Sequence, residues 1–138
     1  MTRIVAGAAK GRVLKVPPSG TRPTSEKVRE ALFSSLEHRG FIEGCEVLDL
    51  YAGSGALGIE AASRGASYVE CVEFAPKAAQ FIRTNAEGLS VTVAHQKAES
   101  WVKLPPNRAY DLVFLDPPYD LPEEKLAEVL AGLLPHLA

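Results

Sequence analysis

Residues 49–58 read Asp-Leu-Tyr-Ala-Gly-Ser-Gly-Ala-Leu-Gly and follow a short apolar run. The pattern Gly-x-Gly-x-x-Gly extends from Gly53 to Gly58, between residues typical of a strand and residues typical of a helix. Glycines at such a turn let the backbone approach a ligand closely, and Glu73, about 20 residues further on, suits ribose hydroxyls. The stretch predicts an α/β fold that holds a nucleoside-bearing cofactor beside this loop.

Short apolar strands alternate with amphipathic helices after Gly44, which is typical of a parallel sheet with right-handed crossovers. The predicted strands are residues 47–50, 68–73, 91–94 and 111–115. The predicted helices cover residues 56–64 and 76–86 and a segment that begins at Pro122. The last strand is apolar on both faces, yet no later strand is available to pair with its far side. We therefore expect either a C-terminally shortened chain or another chain that covers this edge.

The N-terminal part has a different pattern. Residues 4–6 and 13–16 predict a small hairpin around a basic turn. A helix should begin after Thr24 or Ser25 and run to about His38. Its apolar face is predicted from four residues, Val28, Ala31, Leu32 and Leu36. We thus predict a hairpin extension over residues 1–20 and a Rossmann-like sheet domain over residues 21–138.

Composition restricts the class of protein. The chain has 138 residues, 46% hydrophobic and 23% charged, as in an ordinary globular domain. No apolar run approaches the roughly 20 residues that span a bilayer, and the start lacks a secretory signal, so a cytoplasmic protein without a membrane partner is expected. Cys45 and Cys71 show no metal-ligand spacing and are predicted to be reduced core thiols, and no metal site is expected.

Charge is distributed unevenly along the chain. Residues 1–30 hold seven basic and two acidic side chains, whereas residues 31–138 hold eight basic and fifteen acidic ones. A basic arm on an acidic body can steer a polyanion such as a nucleic acid toward a site in the body. A solvated surface segment is the alternative interpretation of the same charges.

The acid in the glycine loop favours one cofactor over another. Asp49 would face an ammonium group better than a pyrophosphate, so S-adenosyl-L-methionine fits this loop better than a nicotinamide dinucleotide does. Phe74 could cover one face of the adenine, and Ala98 and Glu99 lie where the adenine edge would be met. The predicted cofactor-binding residues are Asp49, Tyr51, Gly53, Ser54, Gly55, Glu73, Phe74 and Ala98.

A second loop, Asp116-Pro117-Pro118-Tyr119, follows the last predicted strand. An exocyclic amine is a poor nucleophile because its lone pair is delocalised. The Asp116 carboxylate and the Pro117 carbonyl can accept its two N–H groups and so favour a pyramidal nitrogen. Tyr119 offers a flat face for a base taken out of its stack. The predicted catalytic residues are therefore Asp116, Pro117 and Tyr119, and the predicted reaction is methyl transfer to an amine.

The chain resembles the RsmD-type family of ribosomal RNA guanine-N2 methyltransferases over essentially all of its length. The resemblance rests on Arg3-Ile4-Val5-Ala6-Gly7, Lys10-Gly11-Arg12, Arg22-Pro23-Thr24 with Val28-Arg29-Glu30, the stretch from Leu48 to Gly58, and Asp116-Pro117-Pro118-Tyr119. It implies a class I S-adenosylmethionine-dependent methyltransferase sheet, incomplete at the C-terminus. It also implies methylation of a guanine N2 amine in 16S ribosomal RNA, on a small subunit, by a protein that is monomeric in its full-length form.

The resemblance further assigns roles to the N-terminal residues. Arg3, Lys10, Arg12, Arg22 and Arg29 would contact RNA phosphate, and Thr24 and Glu30 would shape the entrance of the pocket. Other functions stay open at this point. A DNA adenine or a protein glutamine amide could be the methylated amine, and the chain could bind cofactor or RNA without turnover. A nicotinamide oxidoreductase is the remaining alternative.

Overall fold

The structure, a computed structural model, describes residues 2–16 and 25–138. Its strands are β1 (Thr2–Arg3), β2 (Val13–Leu14), β3 (Glu46–Leu50), β4 (Tyr68–Val72), β5 (Val91–Ala94) and β6 (Leu112–Leu115). Its helices are α1 (Glu26–His38), α2 (Ala56–Ser63), α3 (Pro76–Asn85), α4 (Ala98–Trp101) and α5 (Glu123–Leu133), followed by a 3-10 turn at Leu134–His136.

Four of the strands form a parallel sheet in the order β5-β4-β3-β6. Strand β3 lies inside the sheet and is apolar on both faces, since Val47, Leu48 and Leu50 are all buried. This order confirms the predicted Rossmann-like α/β sheet. Strands β1 and β2 pair antiparallel in a separate two-stranded sheet, with Thr2 opposite Leu14.

Alternation along the strands divides the core into two layers. Val47 and Phe114 point to the face that α1, α2 and α3 cover, where they pack with Phe33, Ile59 and Ile82. The opposite face packs against α4 and α5 through residues that include Leu48, Leu50, Val72, Trp101 and Val129. The sheet is therefore covered by helices on both sides, which leaves its carboxyl edge for the loops.

Residues 2–16 are fixed to the outer side of α2. Val5 N and Ala6 N donate to the two carboxylate oxygens of Glu60 at 2.9 and 3.1 Å. Ser63 holds the next turn, because its carbonyl accepts from Ala8 N at 2.8 Å and its hydroxyl donates to the Ala6 carbonyl at 2.7 Å. The pairing of β1 with β2 agrees with the predicted hairpin, although its first strand is Thr2–Arg3 and not residues 4–6. The division of the chain at residue 20 falls outside the described residues and stays a prediction.

Helix α1 begins and ends as predicted, but its buried face differs from the prediction. Ser25 Oγ accepts from Val28 N at 3.2 Å and caps the helix. The buried residues are Arg29 and Phe33, whereas Val28 and Leu32 are exposed. The prediction was wrong for Val28 and Leu32 and correct for Leu36, which packs against the core while partly buried. The burial of Arg29 could not be read from helical spacing, because its partner, the Glu60 carboxylate, lies far away in sequence.

Strand β6 forms an edge of the sheet within the described part of the chain, since it pairs there only with β3. Beside it, residues of α1 and the following loop line an apolar groove of about 330 Å³. The lining includes Leu32, Leu36, Phe41, Leu112 and Val113. A further strand or another chain on the far side of β6 stays a prediction.

Candidate active site

The two loops predicted to act together lie at the same edge of the sheet. Leu50 at the end of β3 is in register with Leu115 of β6 on one side and Val72 of β4 on the other. Neighbouring strands are about 4.8 Å apart, so the residues that follow, Tyr51, Asp116 and Glu73, leave the sheet side by side. Ligands of open α/β sheets bind at this edge.

The glycine loop is shaped by backbone hydrogen bonds to an acid. Gly53 N donates to Glu73 Oε1 at 2.7 Å, and Ala75 N donates to Glu73 Oε2 at 2.9 Å. Gly53 and Gly55 have φ of 60° and 86°, a region that side chains disfavour. No described atom lies within 4 Å of a Cβ added at Gly53, so a ligand can approach its backbone. Lone pairs of the Glu73 carboxylate remain available for the hydroxyls of a ribose.

Asp49 is buried beneath this loop. Its Oδ2 accepts from Gly58 N at 3.0 Å, in the first turn of α2. Burial raises the pKa of Asp49 to about 7, the hydrogen bond from Gly58 opposes this rise, and the carboxylates of Glu73 and Asp116 add to it. The electrostatic effect of Asp116 on Asp49 means that the two loops share one acidic environment. Contact of Asp49 with an ammonium group stays a prediction.

Gly58 is required by this packing. A Cβ at position 58 would lie 2.7 Å from Cys71 Sγ and 3.2 Å from Asp49 Oδ2. The third glycine of the pattern therefore permits close contact between α2 and the sheet. Both cysteines have free thiols, and Cys71 is buried, as expected for a core residue.

Tyr51 occupies a strained position between the two loops. Its φ of 58° is the one positive value outside glycine among residues 2–16 and 25–138. Such strain concentrates at functional sites. Burial and the nearby Glu99 carboxylate raise the pKa of the Tyr51 hydroxyl. Within the described chain, neither Tyr51 Oη nor Glu99 Oε2 has a hydrogen-bond partner, although both atoms are buried.

Such orphaned polar atoms fit a site that a polar ligand completes. Tyr51 was predicted from the sequence as a cofactor residue, and Glu99 was predicted, with Ala98, to lie where the adenine edge would be met. Ala98 is buried at the first residue of α4, and Glu99 follows it directly. Helix α4 itself was not predicted, because four residues carry too little periodicity.

Phe74 lies exposed after β4, with the side chains of Lys97 and His95 near its ring. Lys97 Nζ is 5.1 Å from the centroid of its ring, and the His95 ring is 6.4 Å away. His95 Nε2 is 2.9 Å from the Phe74 carbonyl oxygen, and this contact fixes the loop after β5 to the loop after β4. The exposed ring suits the predicted contact with an adenine face, which stays a prediction.

The Asp-Pro-Pro-Tyr loop is accessible to a substrate. Asp116 is exposed directly after the partly buried Leu115, and Tyr119 is fully exposed. The turn is closed by Leu121 N, which donates to the Pro118 carbonyl at 3.0 Å. Two prolines limit the conformations of this loop, so acceptors on Asp116 and Pro117 need little reorganisation.

The basic residues of the N-terminal segment divide into two groups. Arg3 and Lys10 are exposed, and Arg3 pairs with Glu26 at 3.3 Å. Arg12 Nη1 donates to the carbonyls of Asn85 and Glu87 at 2.9 and 2.8 Å, so its guanidinium is already engaged. RNA contacts of these three residues stay predictions.

Arg29 corrects the prediction from the resemblance. Its side chain is only 1% exposed, its guanidinium donates to the Arg3 carbonyl, and Nε lies 3.8 Å from Glu60 Oε1. A buried guanidinium that neutralises a buried carboxylate cannot contact RNA phosphate, so that assignment was wrong. Arg22 and Thr24, the other two predicted contacts, lie outside the described residues.

Residues 2–16 and 25–138 contain no cluster of three or more His, Cys, Asp or Glu side chains that could hold a metal ion. No helix in the same residues is long and apolar enough to cross a membrane.

The parallel α/β sheet, with a glycine loop after β3 and an acid-proline-proline-aromatic loop after β6, has the fold of the Rossmann-like S-adenosylmethionine-dependent methyltransferases. The family model described as conserved hypothetical protein 95 matches residues 2–136. The chain belongs to this family, the RsmD-type methyltransferases.

Individual relatives agree with this assignment. The ribosomal RNA small subunit methyltransferase D of Haemophilus influenzae is 40% identical over 96% of this chain and 69% of its own length. The protein of the same name from Escherichia coli is 38% identical over 85% of this chain. The solved structure of yhhF from Escherichia coli, a proposed methyltransferase, superposes with a TM-score of 0.84 at 34% identity and covers 99% of this chain and 75% of that one.

The relatives are longer than this chain. It spans 71% of the length of the proposed rRNA methyltransferase YlbH of Bacillus subtilis, to which it is 39% identical, and 60% of the length of the Escherichia coli relative.

Proposed function

We propose that this chain carries the cofactor loop and amine-binding loop of an enzyme that transfers a methyl group from S-adenosyl-L-methionine to a guanine N2 amine of 16S ribosomal RNA. The observation that carries the proposal is the register of β3 with β4 and β6. It brings Glu73, Tyr51 and Asp116 together at the carboxyl edge of the sheet.

The residues present suit this cofactor. Asp49 and Glu73 hold the glycine loop through Gly58 N and Gly53 N, and Asp116 adds to the negative charge that acts on Asp49, which favours a cationic ligand without phosphate over a dinucleotide. The open side of Gly53 and the orphaned oxygens of Tyr51 and Glu99 provide room and hydrogen-bonding groups for a nucleoside and an amino acid. When bound, S-adenosylmethionine supplies an electrophilic methyl group.

The amine-binding loop supplies the other half of the chemistry. The Asp116 carboxylate accepts one N–H of the guanine amine and the Pro117 carbonyl accepts the second, which localises the nitrogen lone pair. Asp116 is also the acceptor for the proton that the amine must lose. Tyr119, which is fully exposed, provides a flat surface for the extruded base.

Support for an RNA substrate comes from the relatives and from the N-terminal segment. Relatives from Haemophilus influenzae and Escherichia coli are named as methyltransferases of small-subunit ribosomal RNA. The exposed Arg3 and Lys10 lie on the segment that is docked on α2, the helix that begins at the glycine loop. Such residues supply phosphate contacts that position an RNA without reading its sequence. An enzyme that acts on an rRNA substrate would be located in the cytoplasm.

Cofactor choice is tested by calorimetric titration of the chain with S-adenosylmethionine and, separately, with NAD. Binding of S-adenosylmethionine but not of NAD is expected, because the acidic loop disfavours a pyrophosphate. Binding of NAD alone would contradict the proposal.

Substrate choice is tested by transfer of a radiolabelled methyl group. The acceptors are small subunits that lack the modification, naked 16S ribosomal RNA, and duplex DNA. The Asp116→Ala variant, tested with each acceptor, gives the background level of label. Label is expected in RNA, and nucleoside digestion should recover it as N2-methylguanosine. Label that appears only in DNA, or as methylated adenine, would remove the guanine assignment.

A further inference from the structure

The side chain of Asn85, the last residue of α3, joins two segments that the chain keeps far apart. Its Oδ1 accepts from Lys15 N at 2.8 Å, and its Nδ2 donates to the Lys15 carbonyl at 2.9 Å. The amide thus pairs with the backbone just after β2 in the way that a neighbouring strand would. Asn85 is only 4% exposed, so these bonds are protected from water.

The same amide also holds the glycine loop. Asn85 Nδ2 donates to the Ser54 carbonyl at 3.2 Å, and Ser54 is buried between the first two glycines of the Gly-x-Gly-x-x-Gly pattern. An asparagine amide has two N–H donors, and here one is used by the hairpin and the other by the loop. Because the amide is planar and rigid, a shift of either partner must strain or break the bond to the other.

A second contact reinforces the connection at the same corner. Arg12 Nη1 donates to the carbonyls of Asn85 and Glu87, which lie at the carboxyl end of α3. A guanidinium is favoured there by the unpaired carbonyls and the helix dipole. The hairpin side of the corner is therefore fixed through both the side chain and the backbone of Asn85.

We infer that Asn85 is a positioning residue that couples the glycine loop to the basic hairpin, so that occupancy of the cofactor site and binding of RNA strengthen each other. The inference rests on the proposed function of the two segments. Coupling between two binding sites is reciprocal, so each ligand must tighten the other by the same factor. In this role Asn85 acts through its hydrogen bonds to Ser54 and Lys15.

The test measures this factor directly. Affinity for 16S ribosomal RNA transcribed in vitro is determined with and without saturating S-adenosylhomocysteine, which binds without reacting. We expect the wild-type chain to bind RNA about fivefold more tightly, or better, in the presence of S-adenosylhomocysteine. Asn85→Asp keeps the acceptor for Lys15 N but loses both donors, and Asn85→Ala loses all three bonds. Both should lower the factor to about one.

Val129→Ala is the matched control for a general loss of stability. Val129 of α5 is fully buried on the opposite face of the sheet, in the cluster that includes Leu48 of β3 and Trp101 of α4, and this cluster contains no residue of the hairpin or of residues 53–58. The variant should unfold more easily than wild type yet keep the wild-type coupling factor. A purely structural role of Asn85 would make its variants behave like Val129→Ala, and that result would overturn the inference.

The outcomes separate the two proposals. A wild-type chain that binds no S-adenosylhomocysteine removes the proposed function and the coupling with it. A wild-type chain that binds both ligands independently, with a factor of one, overturns the role of Asn85 alone. A wild-type factor of one overturns that role even if both Asn85 variants fail to fold, whereas support for it requires a factor of about one in an Asn85 variant that is shown to fold.

Discussion

Glu60 on α2 lies 3.8 Å from the Arg29 guanidinium on α1, and both side chains are shielded from solvent. The same carboxylate accepts from Val5 N at 2.9 Å, from Ala6 N at 3.1 Å and from Arg64 Nε at 2.8 Å. One buried acid thus connects the N-terminal segment to two helices. Because α2 begins at the glycine loop, the position of that segment is linked to the cofactor site.

Glu60→Gln should destabilise the protein strongly. The amide keeps the shape of the carboxylate, but the buried Arg29 charge loses its counter-ion, which costs about 3–5 kcal/mol in comparable pairs. Urea unfolding measures the change. Glu128→Gln is the control, since Glu128 pairs with Lys103 at 2.6 Å on the exposed surface and its loss should leave the unfolding midpoint nearly unchanged. Equal effects of the two substitutions would contradict a structural role for the buried pair.

Gly7→Ala should loosen the N-terminal segment because of a close approach. A Cβ at position 7 would lie 1.9 Å from the Ser63 carbonyl oxygen, a distance that forces the backbone apart. Gly11→Ala is the matched control, as Gly11 has φ of 86° against 90° for Gly7 but no described atom within 4 Å of the added Cβ. The control should lose about 1–2 kcal/mol from backbone strain alone. Gly7→Ala should lose clearly more, and equal losses in urea unfolding would show that the contact with Ser63 does not hold the segment.

The sheet could be predicted from the sequence because its signals are local. Apolar runs such as residues 91–94 and the glycines at positions 53, 55 and 58 each define their structure within a few neighbours. The buried face of α1 could not be predicted in this way. Arg29 is buried because Glu60 meets it from another helix, and helical spacing carries no information on such a partner.

The same distinction applies to the candidate site. Asp116 and the glycine loop were predicted together, since the carboxyl ends of parallel strands share one edge. Asn85 was not predicted as part of the site, and the burial of the Glu99 carboxylate beside Tyr51 was not predicted either. Their roles depend on contacts with Ser54, Lys15 and the surroundings of Tyr51, which only the folded chain brings into reach.

Cofactor affinity should rise with pH through neutrality. Asp49 has a pKa of about 7, so it is mostly protonated at pH 6 and mostly ionised at pH 7.5. A cationic ligand prefers the ionised form, so its binding should tighten roughly tenfold between these two values. Calorimetric titration with S-adenosylmethionine measures the change.

Asp49→Asn is the control for this pH dependence. An amide cannot ionise but can still accept the hydrogen bond from Gly58 N. The variant should bind the cofactor more weakly than wild type at pH 7.5 and with little change over the same range. A slope equal to that of wild type would assign the titration to another group, such as the amine of the ligand.

Asp116→Ala should abolish methyl transfer and leave affinity for S-adenosylmethionine within about tenfold, because it removes an acceptor for the amine and not a cofactor contact. Single-turnover transfer and calorimetry give the two values. Asp120→Ala removes an exposed carboxylate four residues further on and should retain transfer. Loss of both transfer and cofactor binding in Asp116→Ala would show that this carboxylate serves the fold or the cofactor instead.

Lys10→Ala should weaken RNA binding and make it less sensitive to salt. Lys10 is exposed on the N-terminal segment, and removing one phosphate-binding charge should reduce the slope of log affinity against log salt by about 0.7 for single-stranded RNA. Lys103→Ala is the control, since Lys103 is also exposed but lies after α4, on the opposite side of the sheet. The slope of this control should match wild type. If both variants keep the wild-type slope, the RNA does not contact Lys10, and the basic segment is a solvated surface rather than a binding arm.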